Sequence, residues 1–132
     1  MENSTLHPMI AAMPFAAGLG IEILSAEPEE VRGRMNWAPE RCTTGGMLHG
    51  GALMAFADSL GAVCAFLNLP AGAATTTIES KTNFFRGVSS GELVAISKPL
   101  HAGRRFIVVQ TDIHDTQGKR IAQVTQSQAV LS

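Results

Sequence analysis

The chain has 132 residues, a net charge of −1 and 45% hydrophobic residues. Such a length makes one domain, residues 1–132, with a core of its own. The near-neutral charge, 5% aromatic content and absence of Tyr exclude a general nucleic-acid surface or an electrostatic membrane anchor.

The first ten residues, Met1 to Ile10, lack a basic stretch, so no signal peptide is expected. Within an N-terminal helical segment, residues 1–17, Leu6 to Ala17 reads as a short helix interrupted by Pro8 and Pro14. Leu19 to Ala26 suits a strand, Pro28-Glu-Glu a turn, and Val31 to Trp37 alternates as a second strand. Ala38 to Gly46 is a loop closed by Gly45-Gly46. A long apolar helix then runs from about Gly50 to Leu67 and ends at Pro70-Ala-Gly72.

The run from Ala52 to Leu69 approaches membrane-spanning length. It holds Asp58 and Gly61 and lacks basic flanks and an aromatic belt, so it reads as a core helix and no membrane partner is expected. Four strands follow: Thr75 to Phe85, Glu92 to Leu100, Arg105 to Asp115 and Arg120 to Leu131. Ile107, Val109 and Ile113 share one face, and Asp115-Thr-Gln-Gly118 makes a hairpin turn. A helix apolar nearly all round must be covered on all sides. One curved antiparallel sheet would cover most of it and a second copy the rest, which predicts an α+β fold and an obligate dimer. Cys42 and Cys64 stand at no metal spacing and fit a reducing compartment, so a cytoplasmic location is expected.

Between Arg41 and Glu79 the one charged residue is Asp58. A lone helical Asp ordinarily faces water. In an apolar helix with no Lys or Arg within reach, an ionised carboxylate is costly unless paired, protonated or used. Asp58 is therefore the first candidate for chemistry. The helix starts at His49-Gly50-Gly51, where outward-pointing backbone amides make a polarising site.

These features resemble the hotdog-fold acyl-CoA thioesterases. The resemblance is to the branch holding the phenylacetate-degradation, 4-hydroxybenzoyl-CoA and 1,4-dihydroxy-2-naphthoyl-CoA thioesterases. It rests on Leu48-His49-Gly50-Gly51, on a carboxylate nine residues after the His, on Asn83-Phe-Phe-Arg86, and on Lys98-Pro-Leu-His101-Ala-Gly-Arg104-Arg105. It runs from about residue 14 to the C-terminus. It implies a hotdog fold, with one long central helix wrapped by a curved antiparallel sheet, and hydrolysis of acyl- or aryl-CoA without metal or cofactor. The Gly50 amide would polarise the thioester carbonyl, and Asp58 would act as nucleophile or general base. His49 would hold the turn or assist the leaving thiolate; an ordinary structural His in a Gly-rich turn is an equal reading. Phe85, Arg86, Gly87, His101, Gly103, Arg104 and Arg105 match segments that contact the nucleotide, the arginines suiting phosphate through bidentate geometry. Met54, Phe56 and Phe85 are candidates to line the acyl pocket.

Gly50 and Asp58 are eight residues apart, about 12 Å along one helix axis. A side chain as short as Asp does not span that distance to one carbonyl. The two groups must then meet across a subunit interface, in agreement with the homodimer, often a homotetramer, that the resemblance implies. Two positions depart from the family pattern. Thr43 stands where many relatives carry Asn or Gln, with Thr44 as a substitute, and Ala62 stands where aryl-CoA branches carry Ser or Thr. These departures leave the acyl group unassigned and motivate a second reading, a non-catalytic acyl-CoA binding or sensing protein. A hydratase reading lacks its His-Phe-Pro signature.

Overall fold

The computed structural model describes residues 6–132. The first five residues of the expected N-terminal segment lie outside the described residues. In place of one interrupted helix there are two short ones, α1 (Pro8–Ala11) and α2 (Pro14–Gly18). Each opens on a proline, whose fixed φ and missing N–H suit the first helical position. The His7 side chain caps α1 by accepting the Met9 N–H at 3.1 Å. The first strand, β1 (Glu22–Glu27), begins later than expected, because Leu19 closes α2 and Gly20 turns the chain at φ +73°.

In β2 (Glu30–Asn36) Val31, Gly33 and Met35 face inward. A Cβ at Gly33 would lie 2.6 Å from Leu60 Cδ1, so glycine there lets the long helix lie close to the strand. That helix is α3 (Gly50–Leu67), followed by β3 (Ala74–Phe84), β4 (Glu92–Ala102), β5 (Phe106–Asp115) and β6 (Arg120–Leu131). The six strands form one antiparallel sheet in the order β1-β2-β4-β5-β6-β3. Because α3 packs against every strand, the sheet curls around it. This is the expected α+β architecture.

Phe56 and Leu60 of α3 are fully buried among Ile10, Ile21, Met35, Leu93 and Ile113. Each such side chain contributes about 1.5–3 kcal/mol through apolar area removed from water. On β5, Ile107, Val109 and Ile113 share the inner face as expected, and buried Thr111 sits between them, hydrogen-bonded to Ser97 at 2.6 Å. The β5–β6 turn has Gly118 at φ +84°, and Asp115 Oδ1 accepts the Gln117 and Lys119 N–H groups at 2.9 Å each.

A single chain does not enclose α3. Met54, Asp58, Ala62 and Phe66 recur every fourth residue along one face, with Met54 42% and Phe66 54% exposed. The strand at that side is β3, which among the described residues pairs only with β6, through a bulge between Thr77 and Glu79. Ile78 in the bulge is 65% exposed. A long edge strand of this kind has one row of backbone groups without a partner strand in the chain.

Cys64, in the smaller cluster with Val31, Val63, Ile107 and Val109, is buried, and burial pushes its thiol from the usual 9.0 up to about 11. The folded-state value lies above the unfolded one, so the stabilisation from keeping this thiol protonated is complete below pH 9. It is lost as the pH rises through about 11. Thermal melts from pH 8 to 11 are expected to show that decline in the wild type and a shallower one in Cys64→Ala.

Candidate active site

The start of α3 is pinned by its neighbours. Leu48 N–H donates to the Val88 carbonyl at 2.8 Å and His49 N–H to the Arg41 carbonyl at 2.9 Å. His49 caps the helix, its Nδ1 accepting the Gly51 N–H at 2.8 Å. A Cβ at Gly51 would lie 2.9 Å from that Nδ1, so glycine there leaves room for the imidazole. Ala52 and Leu53 donate to the His49 carbonyl. Among the described residues no acceptor meets the Gly50 N–H, which leaves the first amide of the helix unpartnered with the positive end of the dipole behind it. His49 therefore holds the turn that presents Gly50.

Gly50 lines a hollow of about 330 Å³ with Leu48, Leu53, Phe84, Phe85, Arg86, Gly87 and Val88. The structure thus gathers Gly50 with Phe85, Arg86 and Gly87. The other expected nucleotide contacts, His101, Gly103, Arg104 and Arg105, line a separate hollow of about 540 Å³ with Phe106. There the His101 and Phe106 rings lie 5.2 Å apart. A Cβ at Gly103 would lie 2.6 Å from His101 Nε2, so glycine lets the histidine fold over the turn. Thr43 is exposed in the loop leading to α3, where its N–H donates to the Met47 carbonyl at 2.8 Å. Neither Thr43 nor Thr44 is among the hydrogen-bond partners of Asp58.

Asp58 is half-buried on the open face of α3, so it is less enclosed than an apolar helix implied. Its partners are neutral donors. Oδ1 accepts from Gln126 Nε2 at 3.1 Å and from Thr77 Oγ1 at 3.3 Å. Gln128 Nε2 in turn donates to Thr77 Oγ1 at 2.9 Å, and Thr75 Oγ1 donates toward Gln128 Oε1 at 3.0 Å and the Ala129 carbonyl at 2.8 Å. Polar side chains from β3 and β6 thus run beneath the carboxylate. The sequence reading missed Thr77, Gln126 and Gln128. A signal was present: Gln126 and Gln128 occupy alternate positions of β6 in register with Val124, where an inward face calls for apolar residues, and both are 1% exposed.

A third hollow, of about 290 Å³, begins one helical turn beyond Asp58 and is lined by Met9, Met13, Ala62, Val63, Phe66 and Thr75, with Ala12 completing its wall. Ala62 is one helical turn beyond Asp58, and Thr75 is two residues before Thr77 on β3. The residues expected to line an acyl pocket lie elsewhere than this hollow. Phe56 is fully buried in the core, Met54 stands on the open stripe, and Phe85 belongs to the hollow at the helix start.

An unpartnered amide at a helix N-terminus can stabilise a developing oxyanion, and a hydrogen-bonded carboxylate can attack a carbonyl or activate water. Comparison with known proteins agrees with this chemistry. The Thioesterase superfamily profile matches residues 45–122. The chain is 30% identical over 114 residues to Rv1847 of Mycobacterium tuberculosis, named as an esterase, covering 82% of this chain and 81% of that protein. It is 33% identical over 86 residues to the 1,4-dihydroxy-2-naphthoyl-CoA hydrolase of Escherichia coli, covering 65% and 63%. The structure of thioesterase HI1161 from Haemophilus influenzae superposes with a TM-score of 0.89 at 26% identity, over 99% of this chain and 93% of that one. The chain belongs to the thioesterase superfamily and is a thioester hydrolase of the hotdog fold.

Proposed function

We propose that the chain hydrolyses acyl- or aryl-CoA thioesters to the free acid and coenzyme A at sites shared between two copies. The observation that carries this reading is the pairing of an unpartnered Gly50 N–H with a carboxylate on the uncovered face of the same helix. The two lie about 12 Å apart along one helix, too far to act on one carbonyl. Two copies with their α3 helices antiparallel bring Gly50 of one beside Asp58 of the other. The open Met54–Phe66 stripe and the free edge of β3 supply the surface for that pairing. Two such dimers would form the expected homotetramer.

In this arrangement the Gly50 amide polarises the thioester carbonyl and Asp58 supplies the nucleophile, directly or through water. The thiolate of coenzyme A then leaves. Arg86 lies on the same side as Gly50, and Arg104 and Arg105 offer bidentate donors for the phosphates. The acyl group enters the hollow between α1 and α3, which begins one turn from Asp58.

The test is free-thiol release from a panel of benzoyl-, phenylacetyl-, hydroxybenzoyl- and medium-chain acyl-CoAs, measured with Ellman's reagent. Release is expected. Acyl-CoA binding with no release across the panel would overturn the reading in favour of a non-catalytic binding protein. The ranking is also expected to be specific. The one Thr75 hydroxyl proton is already engaged by Gln128 and the Ala129 carbonyl, so the acyl hollow has no free side-chain donor and its lining beyond Thr75 Oγ1 is apolar. A ring hydroxyl buried there loses its water, at about 1–3 kcal/mol. Phenylacetyl-CoA should therefore exceed its 4-hydroxy analogue in kcat/KM by about 10–100-fold, and equal values would remove this hollow as the acyl site.

A further inference from the structure

Asp58 carries an unusual support. Gln126 comes from β6, at the far side of the sequence from α3, and its Nε2 donates to Asp58 Oδ1 at 3.1 Å. The side chain is 1% exposed, and its own Oε1 is buried with no hydrogen-bond partner. An orphaned acceptor in the core lowers stability, and an apolar side chain of the same shape would avoid the cost. The helix is also shaped around this glutamine. A Cβ at Gly61, three residues past Asp58, would lie 2.0 Å from Gln126 Oε1. Glycine inside a helix is itself destabilising relative to alanine. Two unfavourable choices thus meet at one place, and their common result is the amide donor on Asp58.

We infer that Gln126 is a positioning residue for the reaction, holding Asp58 by Oδ1 so that Oδ2 is the oxygen offered to the substrate or to water. The inference rests on Asp58 being the catalytic carboxylate proposed above. A carboxylate only accepts, so the amide must present its nitrogen to Asp58, and Oε1 is thereby turned toward Gly61. Thr77 donates to the same Oδ1 at 3.3 Å, a longer bond, so Gln126 is the stronger restraint. Among the described residues no donor meets Oδ2. With Oδ1 occupied by two donors from two strands, rotation of the carboxylate is blocked and one oxygen is kept free. The work of Gln126 is done through Asp58 and not on the substrate.

The test is a double-mutant cycle on the full-length protein, with Gln126→Met, Asp58→Asn and the double variant assayed for thiol release from the best acyl-CoA of the panel. Gln126→Met preserves volume and removes both the donor and the orphaned acceptor. Its kcat is expected to fall about 10–100-fold, as for loss of a hydrogen bond to a charged group. KM should stay near the wild-type value and the melting temperature should be unchanged or higher. In the Asp58→Asn background the same substitution should have no further effect on kcat. Unchanged kcat, a loss confined to KM, or an equal loss in both backgrounds would overturn the inference, because a merely structural role costs the same with or without the carboxylate. Full turnover in Asp58→Asn alone would instead overturn the catalytic reading beneath it, which separates the two failures. Gln126→Leu passes through the same cycle if the methionine variant does not fold.

Discussion

Asp58→Asn is expected to lower kcat by roughly 10²–10⁴-fold on every acyl-CoA the wild type hydrolyses. The substitution is close to isosteric. The Asn carbonyl oxygen can keep accepting from Gln126 and Thr77 as Oδ1 does now, so the network beneath the helix survives and the fold with it. What disappears is the second carboxylate oxygen and its charge, and with them the capacity to attack a carbonyl or take a proton from water. Single-turnover thiol release, with circular dichroism and acyl-CoA binding measured on the same preparation, checks this. A folded variant that binds and turns over like the wild type would remove Asp58 from the mechanism. Asp58→Ala is a less clean choice, since it strands the Gln126 amide as well as deleting the carboxylate.

Gly50→Pro should be nearly as damaging, at about 10²–10³-fold in kcat, the usual cost of one oxyanion donor. Backbone amides are rarely open to mutagenesis, but this one is. Gly50 is the first residue of α3, where proline is favoured because its missing N–H has no helical partner. His49 before it already has φ −65° and ψ 135°, the extended conformation that a following proline requires. The added Cβ is tight, at 3.2 Å from Phe84 Cζ, so Gly50→Ala is the matched control with the same crowding and an intact amide. The proline variant should lose turnover relative to the alanine variant, while both retain the cooperative melt of the wild type. Equal activity of the two would exclude the amide as the polariser. The pair also tests the shared site. Gly50→Pro and Asp58→Asn protomers, each inactive alone, should recover activity when unfolded and refolded together, since a mixed dimer holds one site with both groups intact. No recovery would place each pair of groups within one chain.

The sequence reading reached the elements because their signals are local. Alternation in Val31 to Trp37, β-branched residues from Thr75 onward and the Asp115–Gly118 turn each act over a few residues, and the structure places strands and a turn there. The errors fell at element ends, where proline and glycine have two uses. In sequence Pro8 and Pro14 look like interruptions, and they are helix starts; Gly20 suits a strand, and it is the turn before one. Asp58 stood out because charge is scarce around it, and Gly50 because a glycine pair opens an apolar helix. The partners of Asp58 did not stand out, because Gln126 lies 68 residues away and looks, in sequence, like any polar residue of a strand.

The sequence by itself thus determined the order of helix and strands, the identity of the long core helix and the isolated Asp58 on it, each of which follows from periodicity, turn residues or an isolated charge within one segment. The choice of Gly50 as the amide donor and of thioester chemistry came from the family resemblance. Only the tertiary structure decided which face of α3 the sheet leaves open, that Met9 and Met13 line the hollow beside Ala62, and that Gln126 reaches Asp58 over Gly61. Those depend on strand order and register, with β6 placed between β5 and β3 beneath the helix. Register is set by packing across the whole sheet, and no stretch of sequence carries it alone.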